Sequence, residues 1–183
     1  MNINNTYTIE VSGVKRDLPV VPVSEDVAIA FLKLYGDNDL LTASIDSLSR
    51  KLSSSVDLLV GAEAGGILVA YELSRQTGIP YVILRKKQRP NMDQPLTVEV
   101  NTIGTDKAQR LYLDDADQDT LKGKTVAFVD EVISSGATME ASCKLVRQAG
   151  GRVQQKLAVA IEGQKREDVD SVFAIPLFSR RDS

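Results

Sequence analysis

The residues best equipped for chemistry lie in one run, Val126-Ala127-Phe128-Val129-Asp130-Glu131-Val132-Ile133-Ser134-Ser135-Gly136-Ala137-Thr138. An apolar stretch of strand length delivers two adjacent carboxylates, Asp130 and Glu131. A segment carrying hydroxyls and a glycine follows and opens a helix. Open α/β sheets bind ligands at the C-terminal ends of their strands, which is where this pattern places the acids. Ser134, Ser135, Gly136, Ala137 and Thr138 together form a phosphate cradle: hydroxyls, helix N-terminal N–H groups, and a glycine where backbone must approach the anion. The carboxylate pair suits a vicinal diol or a hydrated Mg²⁺ held through water. A diol and a phosphate on one ligand describe a ribose 5-phosphate.

A second segment is cationic. Between Glu72 and Asp93 stand Arg75, Arg85, Lys86, Lys87 and Arg89, with no acid among them. Four of these follow the apolar tetrad Tyr81–Leu84. A charge run is commonly a solvated face. At a strand's C-terminal edge in an acidic chain it is instead a site for a polyanion such as pyrophosphate.

The rest of the composition sets limits. The chain has 183 residues, no His, no Trp and one Cys, Cys143. Without His there is no Ser-His-Asp or Cys-His nucleophile and no His-ligated metal. One Cys excludes an intrachain disulfide and a Cys-based zinc site. Net charge is −3 and the pI about 5.1, so no basic nucleic-acid footprint exists globally. Residues 1–55 hold five bases against seven acids, so no cationic arm hides there. No apolar run approaches the ~20 residues of a membrane span. The N-terminal decapeptide lacks the pattern of a secretory signal, which makes a cytoplasmic protein the expectation.

The elements that position these residues are legible from patterning. Tyr7, Ile9 and Val11 alternate with polar residues before Ser12-Gly13, predicting a strand and turn. Leu18–Val23 is extended, because Pro19 and Pro22 forbid a helix. Ser24-Glu25-Asp26 predicts a helix N-terminus with Gly36 as its end. Leu41, Ile45, Leu48 and Leu52 predict an amphipathic helix. From Leu58 onward the pattern becomes strand (Leu58–Val60), loop (Glu63–Gly66), helix (67–76) and strand (Tyr81–Leu84), a βαβ unit implying parallel strands. Residues 86–96 read as a mobile loop. Thr97–Ile103 and Gln109–Leu113 read as a hairpin around Gly104-Thr105-Asp106-Lys107. Thr125–Val129, Met139–Gln148, Leu157–Ile161 and Val172–Pro176 predict strand, helix, strand and strand. Asp115, Asp117 and Asp119 imitate a calcium loop, but Thr120 and Val126 stand where it needs Gly and Glu, leaving a solvated acidic loop. Gly123-Lys124-Thr125 precedes a strand instead of following one and is a tight turn. Cys143 is a small core residue.

The run Val126–Thr138 resembles the signature of type I phosphoribosyltransferases, which use 5-phosphoribosyl 1-pyrophosphate (PRPP). Glu131 as the second acid and Ser134-Ser135 at the loop's start are conservative departures. Gly61-Ala62-Glu63-Ala64-Gly65-Gly66, Arg85-Lys86-Lys87 and Gly104-Thr105-Asp106 look like the adenine and xanthine branch, and the resemblance spans roughly residues 57–163. In that branch the loop after the first core strand contacts pyrophosphate. The resemblance therefore assigns Ala64, Gly65, Arg85, Lys86, Lys87 and Arg89 to pyrophosphate. Adenine enzymes commonly carry Arg where this chain has Gly65, and a Glu where it has Thr102. Xanthine enzymes place Lys after the Glu of the late strand, whereas here Gly163 follows Glu162.

The implied fold is an open, mainly parallel twisted sheet flanked by helices. It forms a single domain over 1–183, with an N-terminal hood (1–55), a core (56–177) containing a flexible hairpin (86–113), and a tail (178–183). The implied activity converts a purine, adenine foremost, and PRPP into a nucleoside 5′-monophosphate and pyrophosphate. Asp130 and Glu131 hold the ribose hydroxyls and a water-mediated Mg²⁺, residues 134–138 hold the 5′-phosphate, and Val132, Ile133 and Leu18 face the base. A homodimer is implied, with no nucleic-acid or membrane partner. Two alternatives share the fold: a non-catalytic PRPP-sensing regulator, and an enzyme for hypoxanthine, guanine or xanthine.

Overall fold

The computed structural model describes residues 6–100 and 109–179. Its centre is a five-stranded parallel sheet in the order β10-β9-β8-β4-β5 (Asp170–Ile175, Arg152–Glu162, Thr125–Ile133, Leu58–Ala62 and Tyr81–Leu84). All four strand pairings are parallel. Near-continuous apolar runs explain this, because parallel strands are buried on both faces. Leu58 and Val60 of β4 point to one side with Val126 and Phe128 of β8, while Leu59 points to the other with Ala127 and Val129.

Two separate cores result. One face packs against α1 (Asn38–Lys51) and α2 (Gly65–Thr77) through Leu40, Leu41, Ile45, Leu48, Val69 and Leu73. The other packs against α4 (Ala137–Gln148), α3 (Asp115–Leu121) and the antiparallel hairpin β6–β7 (Leu96–Val100 and Gln109–Leu113). Cys143 is buried in this second core, as its apolar neighbours predict. The turn proposed at 104–107, together with Thr102, lies outside the described residues.

Chain order creates the site. From β4 the chain runs through α2 to β5 on one side, and from β8 through α4 to β9 and β10 on the other. The loops leaving β4 and β8 therefore diverge from adjacent strands, and that switch point is where open α/β sheets form a ligand crevice.

Several elements differ from the sequence reading. Residues 27–30 form strand β3 and no helix follows Ser24. The Ser24 hydroxyl does accept from the Asp26 and Val27 N–H groups, but it closes a turn. The alternating burial of Val27–Ala30 then fits a strand better than a helical stripe. The acidic segment 115–121 is helix α3, capped by Asp114, whose carboxylate accepts from the Ala116 N–H at 3.1 Å. Asp115 and Asp117 sit in its first turn, where helix N–H dipoles favour negative charge. The loop at 86–96 is tied down: Met92 is buried, its N–H bonds Arg89, its carbonyl accepts from Gln88, and Asn91 reaches Asp114 at 2.8 Å.

Across the expected boundary between core and tail at 177/178 runs a strand, β11 (Leu177–Ser179), which pairs with β3. It completes a second, antiparallel sheet, β1-β2-β3-β11, with β1 at Thr6–Val11 and β2 at Val14–Pro22. The hood is thus closed by the C-terminal part of the chain. Arg16 of β2 clamps it to α1 by a two-pronged pair with Asp37 (2.6 and 2.8 Å), and Asp37 also caps α1 by accepting from the Leu40 N–H.

Candidate active site

Strand β8 runs four residues further than the apolar pattern suggests, to Ile133, so Asp130 and Glu131 lie within a central strand near its C-terminal end. Their position is constrained from three sides. The Glu131 N–H donates to Asp130 Oδ1 at 2.8 Å. The hood approaches through the Leu34 N–H, which donates to Glu131 Oε1 at 3.2 Å. The loop after β4 approaches so closely that a Cβ on Gly65 would lie 2.7 Å from Glu131 Oε2, 2.8 Å from Glu131 Cβ and 3.4 Å from Asp130 Oδ1. Gly65 is therefore what lets the two loops touch.

Burial has an electrostatic consequence. It pushes the Asp130 carboxyl up from its ordinary value to about 7, with the Glu131 charge adding to the rise; the Glu131 N–H and the Lys86 charge oppose it. Burial likewise raises Glu131, against the bond from Leu34. The site thus holds two carboxyls whose ionisation is costly until positive charge arrives. That is the electrostatic character of a pocket for a cationic transition state or a divalent ion.

The pyrophosphate candidates are gathered by an acid the sequence reading passed over. Glu63 accepts from Arg85 Nη1 at 2.8 Å, from the Lys86 N–H at 2.8 Å and from Arg89 Nη2 at 3.2 Å. Burial acts to raise the Glu63 carboxyl, but the Lys86 N–H and the two guanidinium groups outweigh it and hold it below its ordinary range. Glu63 therefore aligns Arg85 and Arg89, while Lys86 and Lys87 line an open cavity of about 490 Å³ with Gln109, Arg110 and Tyr112. Arg85 also bridges to the hairpin, its N–H and carbonyl exchanging bonds with Tyr112 at 2.9 and 2.8 Å. Ala64 sits at the start of α2, and its carbonyl accepts from the Tyr35 hydroxyl at 3.1 Å, a second hood contact. The peptide bond joining Glu63 to Ala64 is cis.

The segment after β8 turns into α4 two residues earlier than the Met139 start expected from the sequence. Gly136 adopts φ +83°, a left-handed conformation that favours glycine, and α4 starts at Ala137. Ser134 and Ser135 are exposed, and Ala137 and Thr138 half-buried at the helix start. The base-facing assignments fare differently. Leu18 and Ile133 are only 5% and 3% exposed, and each packs in one of the two cores. Neither side chain is offered to a ligand. Only Val132 keeps accessible surface. Ile133 lies instead in the core cluster that holds Phe128 and Met139.

The geometry joins an acid pair, a hydroxyl- and glycine-bearing loop that opens a helix, and a cationic patch around one switch point. A family model described as phosphoribosyl transferase domain matches residues 34–181. The chain belongs to the phosphoribosyl transferase domain family.

Curated phosphoribosyltransferases resemble it. A hypoxanthine/guanine phosphoribosyltransferase of Methanococcus voltae is 32% identical over 135 residues, covering 74% of this chain and 68% of its own length. An adenine phosphoribosyltransferase of Clostridium botulinum is 37% identical over 134 residues, covering 70% and 72%. Among solved structures, the adenine phosphoribosyltransferase of Thermoanaerobacter pseudethanolicus superposes with a TM-score of 0.72 at 23% identity, over 86% of this chain and 95% of that one. The last likeness concerns the fold. In this phosphoribosyltransferase domain, Glu63, Tyr35 and the Leu34 N–H are the site-shaping groups that no short motif signals. Each acts across more than twenty residues of chain, and Glu63 alone carries a local hint, being the single acid of a Gly/Ala loop.

Proposed function

We propose that this protein is a purine phosphoribosyltransferase, with adenine its foremost base, that transfers the phosphoribosyl group of PRPP and releases pyrophosphate. The observation that carries the reading is the meeting of Gly65 with Asp130 and Glu131. It places the loop expected to hold the leaving pyrophosphate directly against the carboxylates expected to hold the ribose. Substitution at the anomeric carbon develops positive charge on the sugar ring, and two carboxylates beneath it stabilise that charge more than the neutral ground state. Residues 134–138 anchor the 5′-phosphate, a remote group whose binding energy orients the reacting carbon. Arg85 and Arg89, aligned by Glu63, and Lys86 and Lys87 take up the pyrophosphate charge. Val132 and the hood segment 31–35 frame the base, with Phe31 and Tyr35 each 49% exposed there.

Mg²⁺ fits the residues present. Among the described residues no group of three or more His, Cys, Asp or Glu side chains is placed to hold a metal ion. Mg²⁺ bound with substrate needs only one or two carboxylates, the substrate's phosphates supplying the rest. Asp130 and Glu131 would hold it through water, and when bound it neutralises charge on the leaving group. Among the described residues no helix is long and apolar enough to cross a membrane. We assign the enzyme to cytoplasmic purine salvage, where a charged sugar phosphate that does not cross membranes is at hand. We also propose a homodimer, supported by the exposed edge-to-face pair Tyr71–Tyr81 on α2 and the edge strand β5.

The base is tested by measuring kcat/KM with saturating PRPP and Mg²⁺ for adenine, hypoxanthine, guanine and xanthine. Adenine is expected to lead, and xanthine to trail because Gly163 supplies no cation beside Glu162. A leading value for hypoxanthine or guanine would move the assignment to the activity of the archaeal relatives.

A further inference from the structure

We propose that Arg166 is a positioning residue for the phosphate cradle, holding the Ser135–Gly136 turn in the shape that receives the sugar 5′-phosphate. The inference deepens the function proposed above and rests on it. Arg166 lies in the connection between β9 and β10, far from the cradle in sequence, yet its Nη1 donates to the Ser135 carbonyl at 3.2 Å. Its guanidinium fills the space above Gly136: a Cβ there would collide with Arg166 Nη1 and lie 3.0 Å from Cζ. The glycine thus serves two needs, a left-handed turn and room for a cation.

The guanidinium is itself held in place. Nε and Nη2 donate to the Asp168 carboxylate at 3.2 and 3.4 Å, and Nη2 lies 3.6 Å from Glu140. Asp168 in turn accepts from Lys156 Nζ at 2.6 Å. The Lys156 ammonium and then the Arg166 guanidinium hold the Asp168 carboxyl down to about 2, so Asp168 is a carboxylate at neutral pH. The Arg166 side chain is 23% exposed, packed rather than swinging in solvent. Chemically, a backbone carbonyl at the rim of an anion site repels the anion. A guanidinium bonded to that carbonyl draws its dipole away and brings positive charge to the rim. The next carbonyl, that of Gly136, accepts the Glu140 N–H at 2.9 Å as the first helical bond of α4, so the Ser135 carbonyl is the one that Arg166 covers.

Two ligands separate this role from general support of the fold. Ribose 5-phosphate engages the cradle, and pyrophosphate engages the Arg85–Arg89 patch on the other loop. Their affinities are measured by calorimetry in Mg²⁺ for the full chain, and for Arg166→Ala, Arg166→Lys and Asp168→Asn, with melting temperatures alongside. Arg166→Ala is expected to weaken ribose 5-phosphate about tenfold, as loss of a charge-assisted hydrogen bond does, and to leave pyrophosphate within about twofold. The KM for PRPP rises in step while that for the base does not. Arg166→Lys, which keeps charge without the fork, recovers part of the loss. Asp168→Asn, which frees Arg166 without removing it, shows a smaller loss of the same selectivity and keeps the test available if Arg166→Ala does not fold. Equal weakening of both ligands, or no change in either, overturns the positioning role. Failure of the unaltered protein to bind ribose 5-phosphate overturns the cradle itself, and with it the proposed function.

Discussion

Replacing Asp130 by Asn and Glu131 by Gln together is expected to lower kcat/KM for PRPP by about a thousandfold, while the domain stays folded. Removing one preorganised electrostatic group aimed at transition-state charge costs roughly a hundred- to a thousandfold, and these two groups act on the same charge. Asp130→Asn alone carries a further signature in pH. Burial pushes the Asp130 carboxyl up to about 7, so the carboxylate that opposes positive charge gains population as pH rises through that region. Because kcat/KM reports the free enzyme, it should rise through pH 7 in the unaltered protein, and Asp130→Asn should lose that limb.

Stability should move the opposite way. A carboxyl whose value is raised on folding contributes stability that is fully present below its unfolded value, and that stability is lost as pH rises through its folded value. At pH 8 Asp130 is an ionised, half-buried carboxylate, whereas Asn has no charge to desolvate. Asp130→Asn is therefore expected to raise the melting temperature at pH 8 and to change it little near pH 4. A substitution that inactivates and stabilises together marks a strained functional group. Loss of activity with loss of stability at pH 8 would instead mark Asp130 as structural.

The second large effect concerns Gly65. A methyl group there would lie 2.7 Å from Glu131 Oε2 and 2.8 Å from its Cβ, and the latter is too close to the backbone to swing aside. Gly65→Ala is expected to displace the loop or Glu131 by enough to reduce kcat/KM roughly a hundredfold, the scale that a misplacement of about 1 Å produces. It should also destabilise the fold by about 1–3 kcal/mol, as overpacking does. Denaturant titration and steady-state kinetics read the two effects separately. Unchanged kinetics would mean that the β4 and β8 loops do not meet in the working enzyme.

The central sheet, the place of the acid pair near the end of β8 and the turn at Gly136 are legible in the sequence because each rests on local chemistry. Buried strands announce themselves as apolar runs, and Asp130–Thr138 is one uninterrupted segment that leaves β8 and enters α4. What stayed hidden depends on partners distant in the chain. Residues 27–30 became a strand because β2 and β11 flank them, and β11 comes from the far end of the protein. Ser24 with two acids after it has the composition of a helix cap, and only the sheet partner decided otherwise. Glu63 and Arg166 escaped for the same reason. Glu63 is the lone charge of its loop and Arg166 one of four consecutive charges, Lys165–Asp168, and the role of each is set by distant groups: Arg85, Arg89 and Lys86 in one case and the Ser135 carbonyl in the other. Ile133 stands next to the acids in sequence, yet its side chain is buried in the core cluster that holds Phe128. The absence of histidine, which at first looks like a want of catalytic groups, is no obstacle to a reaction that runs on placement of charge.

The most direct test mixes the protein with Mg²⁺, PRPP and, one at a time, adenine, hypoxanthine, guanine, xanthine, uracil and orotate, following pyrophosphate and nucleoside monophosphate together. The account predicts stoichiometric release of pyrophosphate and formation of the purine nucleoside 5′-monophosphate, fastest with adenine and absent with the pyrimidines. Tight binding of PRPP without pyrophosphate from any base would contradict it, and would make the protein a sensor of PRPP rather than an enzyme that consumes it.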